Sequence, residues 1–229
     1  MKLLIFDIDG TLTSLDGATT RAYAKAFRRV FDRDMITAGL SMHGRTDPLI
    51  FRYCYSKSGL TGDWREGYEA FKPPYLEELP VSIQNSPRAK VHPGVRELLD
   101  ALTTEPEEFA LALGTGNMEA GGRAKIAHFD LNHFFPVGGF GDVHVERHLI
   151  LQDALDAAAE HFGKEFDPME SWVIGDTEHD IHGAQKLGLK TLAVATGGKY
   201  TVDMLQEYGA DEVRQDLSGT AELLELFRR

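Results

Sequence analysis

Cysteine is nearly absent. Cys54 is the only one among 229 residues, so no internal disulfide and no cysteine-rich zinc site can form. Long apolar runs are missing too. The N-terminal run Leu3-Leu4-Ile5-Phe6 stops at Asp7, short of a signal-peptide core, and nothing approaches the ~20 residues of a membrane span. Basic residues are scarce: 24 Lys and Arg stand against 36 Asp and Glu, a formal charge of −12. Without a basic tract the chain lacks the footprint of a general nucleic-acid binder, and its field disfavours an anionic membrane surface. The expectation is a cytoplasmic protein, monomer or homodimer, with no nucleic-acid or membrane partner. An acidic protein that handles an anion must build a local exception to its own field.

What is present is ordinary globular material, 42% apolar and 26% charged, enough for one large domain or one domain with an insertion. From Pro93 onward helical and strand-like segments alternate. Val95 to Leu102 has helical spacing, Phe109 to Leu113 is an apolar run ended by Gly114, and Asn117 is placed to cap a helix reaching about His128. Phe134 to Phe140 reads as a strand, His148 to Phe162 as a helix, and Trp172 to Ile174 and Thr191 to Val194 as further strands. Strands separated by helices imply right-handed crossovers and a Rossmann-like parallel α/β sheet core covered on both faces.

Residues 14–88 break this rhythm. Arg21 to Phe31, Pro48 to Ser56 and Trp64 to Leu79 are amphipathic, and prolines at 73, 74, 80 and 87 punctuate the end. The pattern predicts an all-helical domain over 14–88 inserted into an α/β core of 1–13 and 89–229. Trp64, Tyr53, Tyr55 and Tyr68 are assigned to the core of that insertion.

Ligands of open parallel sheets bind at the carboxyl ends of the strands. There the sequence places Asp7 and Asp9, Thr115, Arg147, and Asp176 with Asp180. Each alone has a bland reading: a turn, a helix cap, a solvent-facing arginine. Together, on successive strand ends, they form a set. Converging carboxylates raise each other's pKa unless a cation sits among them, and hard oxygen ligands suit Mg²⁺ with waters and a substrate phosphate.

These residues carry a resemblance. Phe6-Asp7-Ile8-Asp9-Gly10-Thr11-Leu12-Thr13, Thr115, Arg147 and Gly175-Asp176-x-x-x-Asp180 resemble the four motifs of the haloacid dehalogenase-like hydrolase superfamily. The helical insertion resembles the cap of its phosphoglycolate phosphatase-like branch. The third motif is usually Lys; Arg147 is the best match, since Lys125 and Lys164 stand far along the chain from the predicted strand end. The resemblance implies phosphoryl transfer with Asp7 as nucleophile and Asp9 as acid and base. It also implies Thr115, Gly116 and Arg147 around the phosphate, and Mg²⁺ at Asp7, Asp176 and the Asp9 carbonyl. Asp180 would support the metal's water shell or orient Arg147.

Dehalogenases and phosphonatases of this kind lack the second Asp, so Asp9 favours a phosphatase or phosphomutase. The partner is then a small phosphorylated metabolite, phosphoglycolate or a sugar phosphate. A β-phosphoglucomutase-like enzyme is the alternative, although such mutases carry a His soon after the second Asp and none occurs here between Asp9 and His43. A non-enzymatic phosphoacceptor or partner-binding module is a further alternative. Within the insertion, Met42-His43-Gly44-Arg45-Thr46-Asp47 is the candidate for substrate contact, and its Gly44-Arg45-Thr46-Asp47 resembles the corresponding cap stretch of phosphoglycolate phosphatase-like proteins. Gly44 permits a tight turn and Arg45 offers a fork for carboxylate or hydroxyls; Arg45 only capping a helix or pairing with Asp47 is the alternative. His43 is read as structural, and His179 and His182 as solvent-facing.

Overall fold

A computed structural model describes residues 1–229. In chain order the elements are β1 (Lys2–Phe6), β2 (Thr13–Ser14), α1 (Ala18–Phe31), α2 (Asp47–Lys57), α3 (Trp64–Gln84), β3 (Lys90–Val91), α4 (Val95–Thr103), β4 (Phe109–Thr115), α5 (Glu119–Ala127), β5 (Val137–Phe140), α6 (Arg147–Phe162), β6 (Trp172–Gly175), α7 (Glu178–Leu187), β7 (Lys190–Val194), α8 (Val202–Glu207), β8 (Glu212–Arg214) and α9 (Thr220–Arg228). Six strands pair in parallel in the order β5-β4-β1-β6-β7-β8. β1 is central and wholly apolar after Lys2 because both of its faces are covered. Its alternate side chains enter two cores. Leu4 and Phe6 pack with α4 and α9 through Leu98, Leu102 and Phe227. Leu3 and Ile5 pack with α6 and α7 through Leu151, Ala154 and Ala184. No helix is long and apolar enough to cross a membrane.

Helices α1 to α3 bury a core of their own, built on Tyr23, Phe27, Phe51, Phe71 and Tyr75. Tyr55 and Tyr68 lie in it, and Tyr53 and Trp64 pack against it. Cys54 is buried there, and burial pushes its thiol to about 11. The chain enters and leaves this unit through the short antiparallel pair β2–β3, Thr13 opposite Val91 and Ser14 opposite Lys90.

Three expectations are corrected. The amphipathic piece Trp64 to Leu79 does not stop at Leu79; α3 runs on to Gln84, with Pro73, Pro74 and Pro80 inside it. An interior proline costs ~3 kcal/mol, and the buried face of Phe71, Tyr75, Leu79 and Ile83 holds the helix through them. Asn117 does not cap α5; Met118 occupies that position, and the Asn117 side chain is used elsewhere. The segment before β5 is a 3₁₀ turn at Asn132–Phe134, so the strand starts only at Val137.

Candidate active site

β1, β4 and β6 lie side by side, and the backbone just past each carries the polar groups expected there. The chain turns at once after β1: Gly10 sits at φ 89°, a conformation glycine adopts without penalty. A Cβ on Gly10 would meet Asp176 Oδ2 at 2.4 Å, and one on Gly197 would meet the same oxygen at 1.7 Å. Asp176 is therefore wedged between two glycines beside the β1 turn.

Asp7, Asp176 and Asp180 are all buried, and each offers an oxygen within 4.8 Å of the others. Burial, and after it the like charge of Asp180, pushes the Asp7 carboxyl up to about 7 against the pull of Arg147. Burial and then Asp7 hold Asp176 well above the usual carboxylate range. Asp176 Oδ1 is buried with no donor. Crowded hard oxygens, Asp176 Oδ1 among them without a donor, are the donor set a small divalent cation takes. Mg²⁺ fits these residues. The Asp9 carbonyl, which accepts no backbone hydrogen bond, adds a neutral oxygen.

Arg147 opens α6 and is buried. Its Nη1 lies 3.6 Å from Asp7 Oδ1 and donates to the Gly114 carbonyl at 3.2 Å; its Nε lies 3.2 Å from Asp180 Oδ1. Burial alone would lower the guanidinium, but Asp180, Asp7 and Asp176 together hold it above its ordinary value. Asp180 Oδ2 accepts from the Thr177 amide and hydroxyl, closing a capping box at the start of α7. Asp180 thus faces Arg147 with an orientation fixed from behind.

Thr115 ends β4 with its hydroxyl accepting from Asn117 Nδ2 at 2.7 Å, which leaves the O–H free to donate toward Asp7. The amides of Ile8, Asp9 and Gly116 donate to no backbone acceptor. Asp9 differs from its neighbour: its side chain is 43% exposed and borders a cavity of about 300 Å³ between the sheet edge and the helical unit. Its Oδ2 accepts from Lys125 Nζ at 2.5 Å and Asn117 Nδ2 at 2.8 Å.

Lys125 is a correction to the sequence reading. Distance along the chain places it far from the strand end, yet α5 doubles back and carries it into the site, 1% exposed. The positive group against Asp7 and Asp180 is Arg147; the one against Asp9 is Lys125.

The turn before α2 crosses directly over the motif that follows β4. Asp47 N donates to the Gly116 carbonyl at 2.8 Å, Met118 N donates to Asp47 Oδ2 at 2.8 Å, and Tyr23 Oη donates to Asp47 Oδ1 at 3.2 Å. A Cβ on Gly116 would lie 2.6 Å from the Arg45 carbonyl; one on Gly44, at φ 68°, would lie 2.5 Å from His179 Cδ2. Gly44 thus serves a tight crossing, and His179 faces it half-buried rather than standing in solvent. Arg45 is exposed on the cavity rim with Nε donating to the Ser41 carbonyl, and it makes no pair with Asp47. His43 is exposed and also borders the cavity.

Known proteins resemble this chain in sequence and in fold. The family model of the haloacid dehalogenase-like hydrolases matches residues 4–194. A Dickeya dadantii protein named "Probable phosphatase IndB" is 26% identical over 216 residues, spanning 89% of this chain and 85% of its own. Among solved structures, a predicted phosphoglycolate phosphatase from Haemophilus somnus superposes with TM-score 0.71 at 20% identity, covering 99% of this chain and 97% of that one. A Thermotoga maritima structure designated "putative beta-phosphoglucomutase" gives 0.66 at 20% identity, covering 99% and 100%. With the family model spanning β1 to β7, the chain belongs to the haloacid dehalogenase-like hydrolase family.

Proposed function

We propose that the protein is a Mg²⁺-dependent phosphatase of small phosphate monoesters, phosphoglycolate or a sugar phosphate, working through an aspartyl-phosphate. One observation carries this: two unlike carboxylates stand side by side after β1, Asp7 buried against Arg147 and Asp9 open to the cavity. Asp7 attacks phosphorus in line as the ester O–P bond breaks. Asp9 gives its proton to the departing oxygen, then takes one from the water that cleaves the acyl phosphate. Asp7, Asp176 and the Asp9 carbonyl would hold Mg²⁺, which when bound would supply positive charge to keep Asp7 ionised and to offset the negative charge of the phosphoryl oxygens. Arg147, the Thr115 hydroxyl and the free amides of Ile8, Asp9 and Gly116 bind those oxygens. Asp180 orients Arg147.

The helical unit over 14–88 acts as a cap on the α/β core of 1–13 and 89–229. It hinges at the β2–β3 pair and presents Gly44 and Arg45 to the part of the substrate beyond the phosphate. Hydrolysis is favoured over phosphoryl exchange because Asp9 is held by Lys125 and Asn117 and not by a histidine. A lone buried thiol suits a reducing compartment, and we place the enzyme in the cytoplasm.

The test is phosphate release from a panel of small monoesters, glucose 1-phosphate included, in Mg²⁺ or EDTA. Release that needs Mg²⁺ and disappears in Asp7→Asn is the expected result. Conversion of the glucose phosphate without release would instead select the mutase, and a stable phosphoprotein without turnover the phosphoacceptor.

A further inference from the structure

Lys125 is the one buried ammonium near the site that the reaction above does not use. Taking such a group out of water costs several kcal/mol unless its partners compensate. Both of its hydrogen bonds converge on Asp9, one directly and one through a neighbour. Nζ donates to Asp9 Oδ2 at 2.5 Å and to Asn117 Oδ1 at 2.6 Å, while Asn117 Nδ2 donates to the same Asp9 Oδ2 at 2.8 Å. The three groups form a closed ring. Asp9 Oδ2 is occupied twice; Oδ1 has no protein partner, although the side chain is 43% exposed on the cavity. Asn117 Nδ2 also reaches Thr115 Oγ1 at 2.7 Å, so the ring is tied to the phosphate side as well.

The approach of α5 is close where it carries this lysine. A Cβ on Gly122 would sit 3.1 Å from Ile8 Cδ1. Larger side chains there would push the helix, and Lys125 with it, away from the β1 turn.

We infer that Lys125 is a positioning residue. With Asn117 it fixes Asp9 through Oδ2, so that Oδ1 alone faces the leaving oxygen and carries the transferred proton. The inference rests on the phosphatase reading. In the first half-reaction the Asp9 Oδ1 proton passes to the ester oxygen as its bond to phosphorus breaks and the Asp7–phosphorus bond forms. In the second, Oδ1 recovers a proton from water as that bond is hydrolysed and inorganic phosphate leaves. An aligned acid matters most when the leaving oxygen is strongly basic, and least when it departs as a stable phenolate.

The experiment compares the phosphorylation step for an alkyl ester, phosphoglycolate or the best of the panel, with that for p-nitrophenyl phosphate. Each is read as ester consumed in a single turnover with enzyme in excess and Mg²⁺ present. In Lys125→Met the alkyl rate is expected to fall at least tenfold further than the aryl rate. Equal losses on both esters would mean that Lys125 serves the phosphate or the fold, and an unchanged alkyl rate would mean that Asp9 needs no clamp; either overturns the inference. If Lys125→Met does not fold, the same ratio in Asn117→Ala decides. A wild-type protein with no Mg²⁺-dependent hydrolysis of either ester overturns the phosphatase reading itself, and the clamp with it.

Discussion

Arg147 separates two needs that a single residue rarely meets. Its guanidinium touches Asp7 at one edge and Asp180 at the other, so it neutralises the acidic cluster and, in the proposed mechanism, binds the phosphoryl oxygens. Arg147→Ala is expected to lower kcat/KM by about 10²–10³, the scale of losing one preorganised charge donor, and to cost stability because buried carboxylates lose their partner. Arg147→Lys keeps the charge without the two-edged reach and should fall between; a panel assay and a melt check both. The residues at strand ends were legible in the sequence because their types are unusual after apolar runs. Lys125 and Asn117 were not. Asn117 reads as an ordinary residue before a helix start and Lys125 as an ordinary cation in the last turn of that helix, and only the fold of α5 back onto the β1 turn gives them Asp9 as a partner.

Among the elements, the contact that joins the helical unit to the sheet edge is narrow and specific. Asp47 opens α2, yet its carboxylate accepts from Met118 N at the start of α5, and burial, eased by the nearby Lys125, pushes that carboxyl up to about 6. Asp47→Ala removes the acceptor from a buried amide and from Tyr23 Oη. A loss of about 1–3 kcal/mol follows, read as a melting point lower by about 2–4 °C per kcal/mol in a chain of this size. Asp47→Asn, which keeps an oxygen, should lose less. Alternation of strands and helices after Pro93 was plain from periodicity. Continuation of α3 past Leu79 and Pro80 to Gln84 was not, because local propensity says stop and only packing of Leu79 and Ile83 says continue. β8 and α9 also escaped the periodic reading: β8 is three partly buried residues at the sheet edge, with no apolar run to mark it.

For the whole molecule, the buried acids make stability depend on pH in a direction opposite to that of most salt-bridged proteins. Asp7, raised to about 7, and Asp47, raised to about 6, bind protons in the native state that the unfolded chain has released above about 4. The native form therefore holds the excess of protons, and stability falls as pH rises from about 4 to about 7. Denaturant melts in EDTA across that range should show the fall, and Asp7→Asn should flatten it. Mg²⁺ bound only to the native state should restore stability at the upper end, by about 2.7 kcal/mol at one hundred times its Kd.

The central position of β1 has a further consequence, for the order in which the chain assembles. The five residues of β1 pair on one side with Phe109–Leu113, and Leu4 to Phe6 pair on the other with Trp172–Ile174. During synthesis the middle of the sheet therefore emerges first and waits longest for both neighbours. Helices α1 to α3, which close a core from local contacts, follow immediately and can form while β1 is still unpaired. Long-range parallel pairing is slow, and an apolar strand without neighbours is open to the wrong ones. The helical insertion gives the nascent chain an early folded body, and both of its ends come together at β2 and β3, beside the strand that is still waiting.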